Sequence, residues 1–276
     1  MGSEPAPGPA QWQDLDAADA GVAAATYLEA AAAALAAPRL RSHELLGIDA
    51  DASVLDVGCG TGIALREIAD RLGPKGTAVG LDLSTAMLEQ ARARLSDAAC
   101  RVELVEGSAT STSLDSDRFD AVRTERVLMH VPDPVAALAE LARVTRPGGR
   151  IVLVEPDHRR LAVDTDAPDV WLRYVTLFGR MLANISAGLR ATADATALGL
   201  RVTAVEPMTY QFRSYEAFTQ VFDLEMGRAA ASEVGVSDAE LDDLLADLVQ
   251  RSATGRFLGV GVMYVVVAEK PQPQPS

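Results

Sequence analysis

Between Ser53 and Glu155 the chain alternates short runs of apolar and β-branched residues with longer stretches whose apolar positions recur every three or four residues. The first pattern fits buried strands and the second fits helices with one buried face. Their alternation predicts βα units wound into a parallel sheet. Strands are expected over 54–57, 77–81, 101–105, 119–123 and 150–154. The most sharply bounded helix covers 134–144. Asp133 stands at its N-cap, Pro134 at its first position, Leu138 and Leu141 fall on one face, and Pro147-Gly148 closes it. A second helix begins after Ser84 and carries Met87, Leu88, Ala91 and Leu95 at helical spacing.

Outside that region the pattern is less regular. Residues 169–185 set Trp171, Tyr174, Val175, Phe178, Met181, Leu182 and Ile185 on one broad helical face. A helix running into Leu198-Gly199 follows, then a strand over 201–205, helical character over 214–255, and a last strand over 260–268. Near the start, the alanine-rich stretch 17–37 favours helix by intrinsic propensity. Asp19 and Glu29 interrupt it, and it is too weakly apolar to span a bilayer. The layout expected is a flexible leader over 1–14, one domain over 15–270, and a disordered Pro/Gln tail over 271–276. Within the domain, 15–50 forms a helical lid, 51–155 a ligand-binding core, and 156–198 and 211–257 segments that cap a substrate.

Composition narrows the class of protein. A chain of 276 residues, 49% hydrophobic and 23% charged, buries a large core in one domain. Its 25 basic and 39 acidic residues leave a formal charge of -14, which repels phosphate backbones and anionic membrane faces. Nucleic acid and membrane are therefore set aside as partners in favour of a small molecule. Cys59 and Cys100 form no spaced framework, which suits a reducing cytoplasm. The start, MGSEPAPGPAQWQDLD, has neither the basic region nor the apolar core of a secretion signal, and Ala6 breaks the myristoylation pattern. No metal is expected, because the three histidines are far apart in the chain.

The stretch VLDVGCGTG, residues 54–62, sets three glycines on alternate positions directly after an apolar run. Glycine tolerates unusual φ angles and allows a ligand to press on the backbone. By itself the turn also reads as a strand-to-helix connection that binds nothing. Asp82 changes that balance. It closes the next strand, twenty residues after Gly62, where a carboxylate can accept two hydrogen bonds from a ribose diol. Asp82 alone also reads as the start of a turn, but the pair together is the fingerprint of a nucleoside ligand.

VLDVGCGTG, with Asp56 two residues ahead of Gly58, resembles motif I of the class I S-adenosylmethionine-dependent methyltransferases, and the likeness runs over about 45–155. GLDLSTAMLEQAR is similar to the family's second motif, which implies that Asp82 binds the ribose hydroxyls while Leu83 and Met87 border the adenine. VELVEGSA resembles the segment after the third strand, where many members carry G-D-A. Ser108 replaces that acid, so its hydroxyl is the acceptor expected for the adenine amino group, with the Ala109 N–H nearby for a ring nitrogen. RFDAVRTERVLMHVPDP and LARVTRPGGRIVLVEPD resemble the fourth motif and the helix, turn and fifth strand that follow it.

The resemblance implies an α/β, Rossmann-like fold. It has a seven-stranded, mostly parallel sheet with an antiparallel last strand, helices on both faces, and helical insertions after strands five and six. It also implies S-adenosyl-L-methionine as cofactor, held by Gly58 and Gly60 with Asp56. Thr124, Glu125 and Arg126 lie along its methionine end and Tyr27 covers it. Arg126 also reads as a solvated surface residue, the commoner fate of a lone arginine. The activity implied is methyl transfer to an O, N or C atom of a small metabolite, of the kind found in bacterial quinone, secondary-metabolite and antibiotic biosynthesis. Two rivals share the scaffold: a cyclase or other non-methylating enzyme, and a non-catalytic cofactor-binding regulator. A homodimer is compatible with either.

Methyl transfer from a sulfonium needs alignment and exclusion of water more than a protein nucleophile. A hydroxyl acceptor needs a base, whereas a neutral amine does not. His130, beyond strand four, is the first candidate, because ligands of open α/β sheets sit at the carboxyl ends of the strands. It reads equally as a cap of the turn before Val131-Pro132. His158, in EPDHRR with Glu155 and Asp157 beside it, is the second candidate, and those acids read equally as turn residues. Acceptor contacts are expected from Trp12, Met129, Asp157, Trp171, Tyr174 and Tyr210, although the face over 171–185 also reads as plain core.

Overall fold

The computed structural model describes residues 20–180 and 182–273. Trp12, the leader over 1–14, Met181, the side chain of Phe178 and the end of the tail fall outside the described residues. The N-terminal segment forms α1 (Ala20–Ala34) and α2 (Ala36–Leu45). The expected strands follow as β1 (Ser53–Val57), β2 (Thr77–Asp82), β3 (Arg101–Glu106), β4 (Phe119–Glu125) and β5 (Thr145–Pro156), all parallel. Between them run α3 (Ile63–Ala69), α4 (Thr85–Arg94) and α5 (Pro134–Val144). The cap read from the sequence forms, with Asp133 Oδ1 accepting from Ala136 N at 2.9 Å, and α4 is capped likewise by Ser84 Oγ, which accepts from Met87 N at 3.3 Å.

The second half contributes β6 (Ala162–Val163), α6 (Pro168–Tyr174), α7 (Thr176–Arg180), α8 (Ala187–Ala197), β7 (Arg201–Phe212), α9 (Tyr215–Thr219), α10 (Asp238–Ala253) and β8 (Gly259–Glu269). Sheet order is β3-β2-β1-β4-β5-β8-β7, with β8 antiparallel to both neighbours. The two-residue β6 pairs with β8 as an eighth strand beyond the seven expected. Along β1 successive side chains face opposite layers. Val54 meets the layer of Leu65, Ile68 and Leu88, and Leu55 meets the layer of Leu138, Leu141 and Ala191. Helices therefore cover both faces, as expected.

Two expectations for the second half are corrected. The single helix over 169–185 is broken into α6 and α7, and the chain leaves the helical path before residue 184. Asn184 anchors it elsewhere: its Nδ2 donates to Leu128 O at 3.0 Å and Val131 O at 2.6 Å, and its N donates to Met129 O at 3.0 Å. Tertiary hydrogen bonds here outweigh a helical apolar pattern. The strand expected over 201–205 continues to Phe212, because β8 pairs with it along its whole length and an edge strand tolerates Pro207. Tyr210 therefore belongs to the sheet.

Candidate active site

β1 delivers the chain into a turn whose backbone only glycine enters without strain. Gly58 has φ +70, and a Cβ there would lie 2.2 Å from Val127 Cγ2; Gly62 has φ +78, and a Cβ would lie 3.0 Å from the Ala91 backbone. The turn is tied to β2 by Gly58 N and Cys59 N, which donate to Leu81 O at 2.7 and 3.0 Å. Asp82, the last residue of β2, accepts from Gly60 N at 2.8 Å through Oδ2 and from Ser84 N at 3.0 Å through Oδ1. The carboxylate is thereby set between the turn and the start of α4.

Above this turn lies a cavity of about 470 Å³. Asp56, Gly58, Gly60, Asp82, Leu83 and Met87 border it from the first two βα units, Ser108 and Ala109 from the end of β3, Glu125 from β4, and Tyr27 from α1. Ser108 Oγ lies 3.0 Å from Thr110 Oγ1, so the hydroxyl expected to accept from the adenine is already engaged in a local turn. Of the two histidines considered, His130 borders the cavity and His158 does not.

Beneath the cavity lies a buried ionic group that sequence reasoning missed. The parallel register of β1 and β4 sets Asp56 beside Arg123. Arg123 Nη1 donates to Asp56 Oδ1 at 3.0 Å, Nε to Ser42 Oγ of α2 at 2.8 Å, and Nη2 to Glu125. Desolvation opposes the Arg123 charge, but Glu125 and Asp56 outweigh it and its pKa is raised. Desolvation also pushes Asp56 up to about 6, with Arg123 pulling it back, and at neutral pH the pair is ionised. The signal was present in FDAVRTE: an arginine inside an apolar strand demands a buried acid, and VLDVG supplies one.

At the other side of the cavity the chain leaves β4 through Arg126, whose φ of +57 is left-handed for a residue with a side chain. Arg126 N donates to Val154 O at 2.9 Å, and Glu155 Oε1 accepts from Val127 N and Leu128 N at 2.9 Å each. The guanidinium turns back over the Tyr27 ring, 5.7 Å from its centre, and Nη1 donates to the Tyr27 hydroxyl at 3.3 Å. Burial, aided by Arg126 and His158, lowers His130 to about 3. An imidazole so reluctant to take a proton stays neutral at ordinary pH and is a poor general base, which counts against the base role expected of it.

The remaining candidates lie elsewhere. His158 is lowered to about 4, chiefly by burial, and packs edge-on against Phe222 with ring centres 5.8 Å apart. Asp157 is buried between Arg159 and Arg160, at 3.2 Å from each, and accepts from Arg159 N. Met129 is buried in the apolar layer beside Leu128. Trp171 and Tyr174 are core residues whose polar tips are satisfied internally, by Leu161 O and Leu224 O. Tyr210 stacks on Phe222. None of these borders the cavity. Among the described residues no cluster of three or more His, Cys, Asp or Glu is arranged to hold a metal, and no helix is long and apolar enough to cross a membrane.

Known proteins resemble this chain in sequence and in fold. A family model described as a methyltransferase domain matches residues 54–149. An uncharacterized 37.1 kDa protein of a Streptomyces fradiae transposon is 36% identical over 249 residues, covering 88% of this chain and 70% of that protein. A demethylmenaquinone methyltransferase of Lactococcus lactis is 33% identical over 147 residues, covering 52% of this chain and 58% of the relative, so the match spans little more than half of that enzyme. A crystal structure from Bacillus halodurans, provisionally described as a methyltransferase, superposes with a TM-score of 0.60 at 21% identity, covering 85% of this chain and 99% of the other.

Proposed function

The chain belongs to the class I S-adenosylmethionine-dependent methyltransferases, and from that premise we propose that it methylates an oxygen, nitrogen or carbon atom of a small metabolite of the quinone or natural-product kind. The observation that carries the proposal is a single cavity joining two unlike ends: the glycine turn with Asp82, and the group of Tyr27, Arg126 and His130. The first end fits the nucleoside of the cofactor, since the bare backbone of the glycine turn borders the cavity and Asp82 stands ready to accept from a ribose diol. Bound there, S-adenosylmethionine supplies an electrophilic methyl group on a sulfonium.

The chain's own residues then act mainly by position. Asp56 and Glu125, braced by Arg123, are the cavity carboxylates that would hold a cationic part of the cofactor. The turn after β4, held by Glu155, sets Arg126 and His130 where an acceptor enters. α1 reaches over the cavity through Tyr27 and excludes water. The demethylmenaquinone relatives support the quinone-like acceptor. A cytoplasmic enzyme, its two buried cysteines kept as free thiols, goes with this reading.

The test is incubation with methyl-labelled S-adenosylmethionine and either demethylmenaquinone or a metabolite extract. Label in a product, with release of S-adenosylhomocysteine, is the expected outcome. Conversion of a substrate without transfer of label replaces the proposal with a non-methylating reaction on the same fold.

A further inference from the structure

Three guanidiniums border the cavity, those of Arg39, Arg123 and Arg126, and they differ in how fully their charge is met. Arg39 holds Glu67 through two N–H groups at 3.0 and 3.2 Å. Arg123 is shared by Ser42, Asp56 and Glu125. Arg126 is less well served. Its side chain is only 13% exposed, yet its Nε is buried with no hydrogen-bond partner among the described residues. The Glu125 carboxylate stands 3.9 Å from that nitrogen and already faces Arg123. The bond to the Tyr27 hydroxyl is long, at 3.3 Å. A mostly buried guanidinium on a cavity wall, its charge met only by a distant carboxylate shared with Arg123 and a long bond to a hydroxyl, is costly in a finished protein and is expected where an anionic ligand completes the set.

The backbone points the same way. A left-handed conformation at a residue with a side chain persists where the surroundings over-determine it, and such residues gather at ligand sites. Here Val154 O holds the Arg126 amide and Glu155 holds the next two. The effect is to bring the guanidinium round to the cavity beside His130 and Pro132. Burial keeps His130 neutral, so it adds no second cation beside Arg126.

We propose that Arg126 is an acceptor-binding residue and that the acceptor enters carrying an anionic oxygen, a carboxylate or an ionised phenol or enol, which pairs with its guanidinium. The planar fork of donors matches such a group better than a lysine would. This rests on reading the cavity as a joint site for cofactor and acceptor. The same chemistry is available from the carboxylate in the methionine part of the cofactor, and the experiment separates the two sources.

The probes are naphthoate and its neutral counterpart naphthamide, titrated by ligand-observed NMR into the full-length protein saturated with S-adenosylhomocysteine. Naphthoate is expected to bind about tenfold tighter than the amide. Arg126→Gln should abolish that preference while changing S-adenosylhomocysteine affinity by less than about threefold. Arg126→Lys, which keeps the charge and loses the fork, should fall between and covers the case in which the glutamine variant fails to fold. Equal affinity for the two probes in the unsubstituted protein, or no naphthoate binding at millimolar concentration, overturns the inference. So does a fall in S-adenosylhomocysteine affinity in the variants, since the anion is then the cofactor's own carboxylate. Failure of the unsubstituted protein to bind S-adenosylhomocysteine overturns the reading of the cavity itself, which distinguishes that failure from the others.

Discussion

The turn that carries Arg126 and His130 hangs on one buried acid, and the pH dependence of stability tests that dependence. Glu155, near the end of β5, is fully buried and accepts from Val127 N and Leu128 N at 2.9 Å each. Burial pushes its pKa from 4.5 up to about 7, against the opposing pull of those backbone donors. The folded value lies above the unfolded one. The associated stability is therefore fully present below the unfolded pKa and is lost as pH rises towards 7. Each unit in that window is worth about 1.4 kcal/mol, and the change from pH 5 to pH 8 comes to about 2.5 kcal/mol. Glu155→Gln keeps a carbonyl oxygen to accept both N–H groups and titrates nothing.

The assay is urea unfolding of both proteins at the two pH values. His43, His130 and His158 have folded pKa values lowered to about 2, 3 and 4, so they contribute with the opposite sign, losing stability as pH falls below the ordinary histidine value. They are common to both proteins and cancel in the difference. The unsubstituted protein should lose about 2.5 kcal/mol relative to the variant between pH 5 and pH 8. Parallel pH profiles would refute the reasoning, for they would mean that Glu155 is already ionised in the folded protein throughout.

Other outcomes follow from the same geometry. Asp82→Ala should weaken S-adenosylhomocysteine binding by about a hundredfold in calorimetry, the effect of losing two charge-assisted hydrogen bonds; near-normal affinity would sink the ribose assignment. Arg123→Met should destabilise the protein by about 3–5 kcal/mol, because Asp56 and Glu125 are left buried without a counter-charge; adding Asp56→Asn should recover part of that loss in the same unfolding assay. The rate profile of the unsubstituted enzyme should show no limb near the ordinary histidine value that His130→Ala removes, since burial keeps that imidazole neutral well below it. Such a limb, if found, would restore His130 as a base.

Some of the molecule is written in short stretches of chain. The glycine turn, Asp82, the helix start after Ser84 and the cap Asp133 were legible because each acts on groups a few residues away or at a fixed offset along one βα unit. The inner strands of the first half were legible for the same reason, since burial on both faces leaves mostly apolar runs, whereas β3 lies half-exposed at the sheet edge. What could not be read locally was which polar residues meet across the sheet and which aromatics face a ligand. Arg123 finds Asp56 only through the register of β1 and β4, and Ser42 only through the docking of α2. Trp171, Tyr174 and Tyr210 carry the same side chains whether they line a cavity or fill a core. Their positions were decided by where Asn184 and β8 drew the chain. Periodicity and turn chemistry are properties of neighbouring residues, whereas burial and electrostatic partnership belong to segments brought together from far along the chain, and only the tertiary structure supplies those.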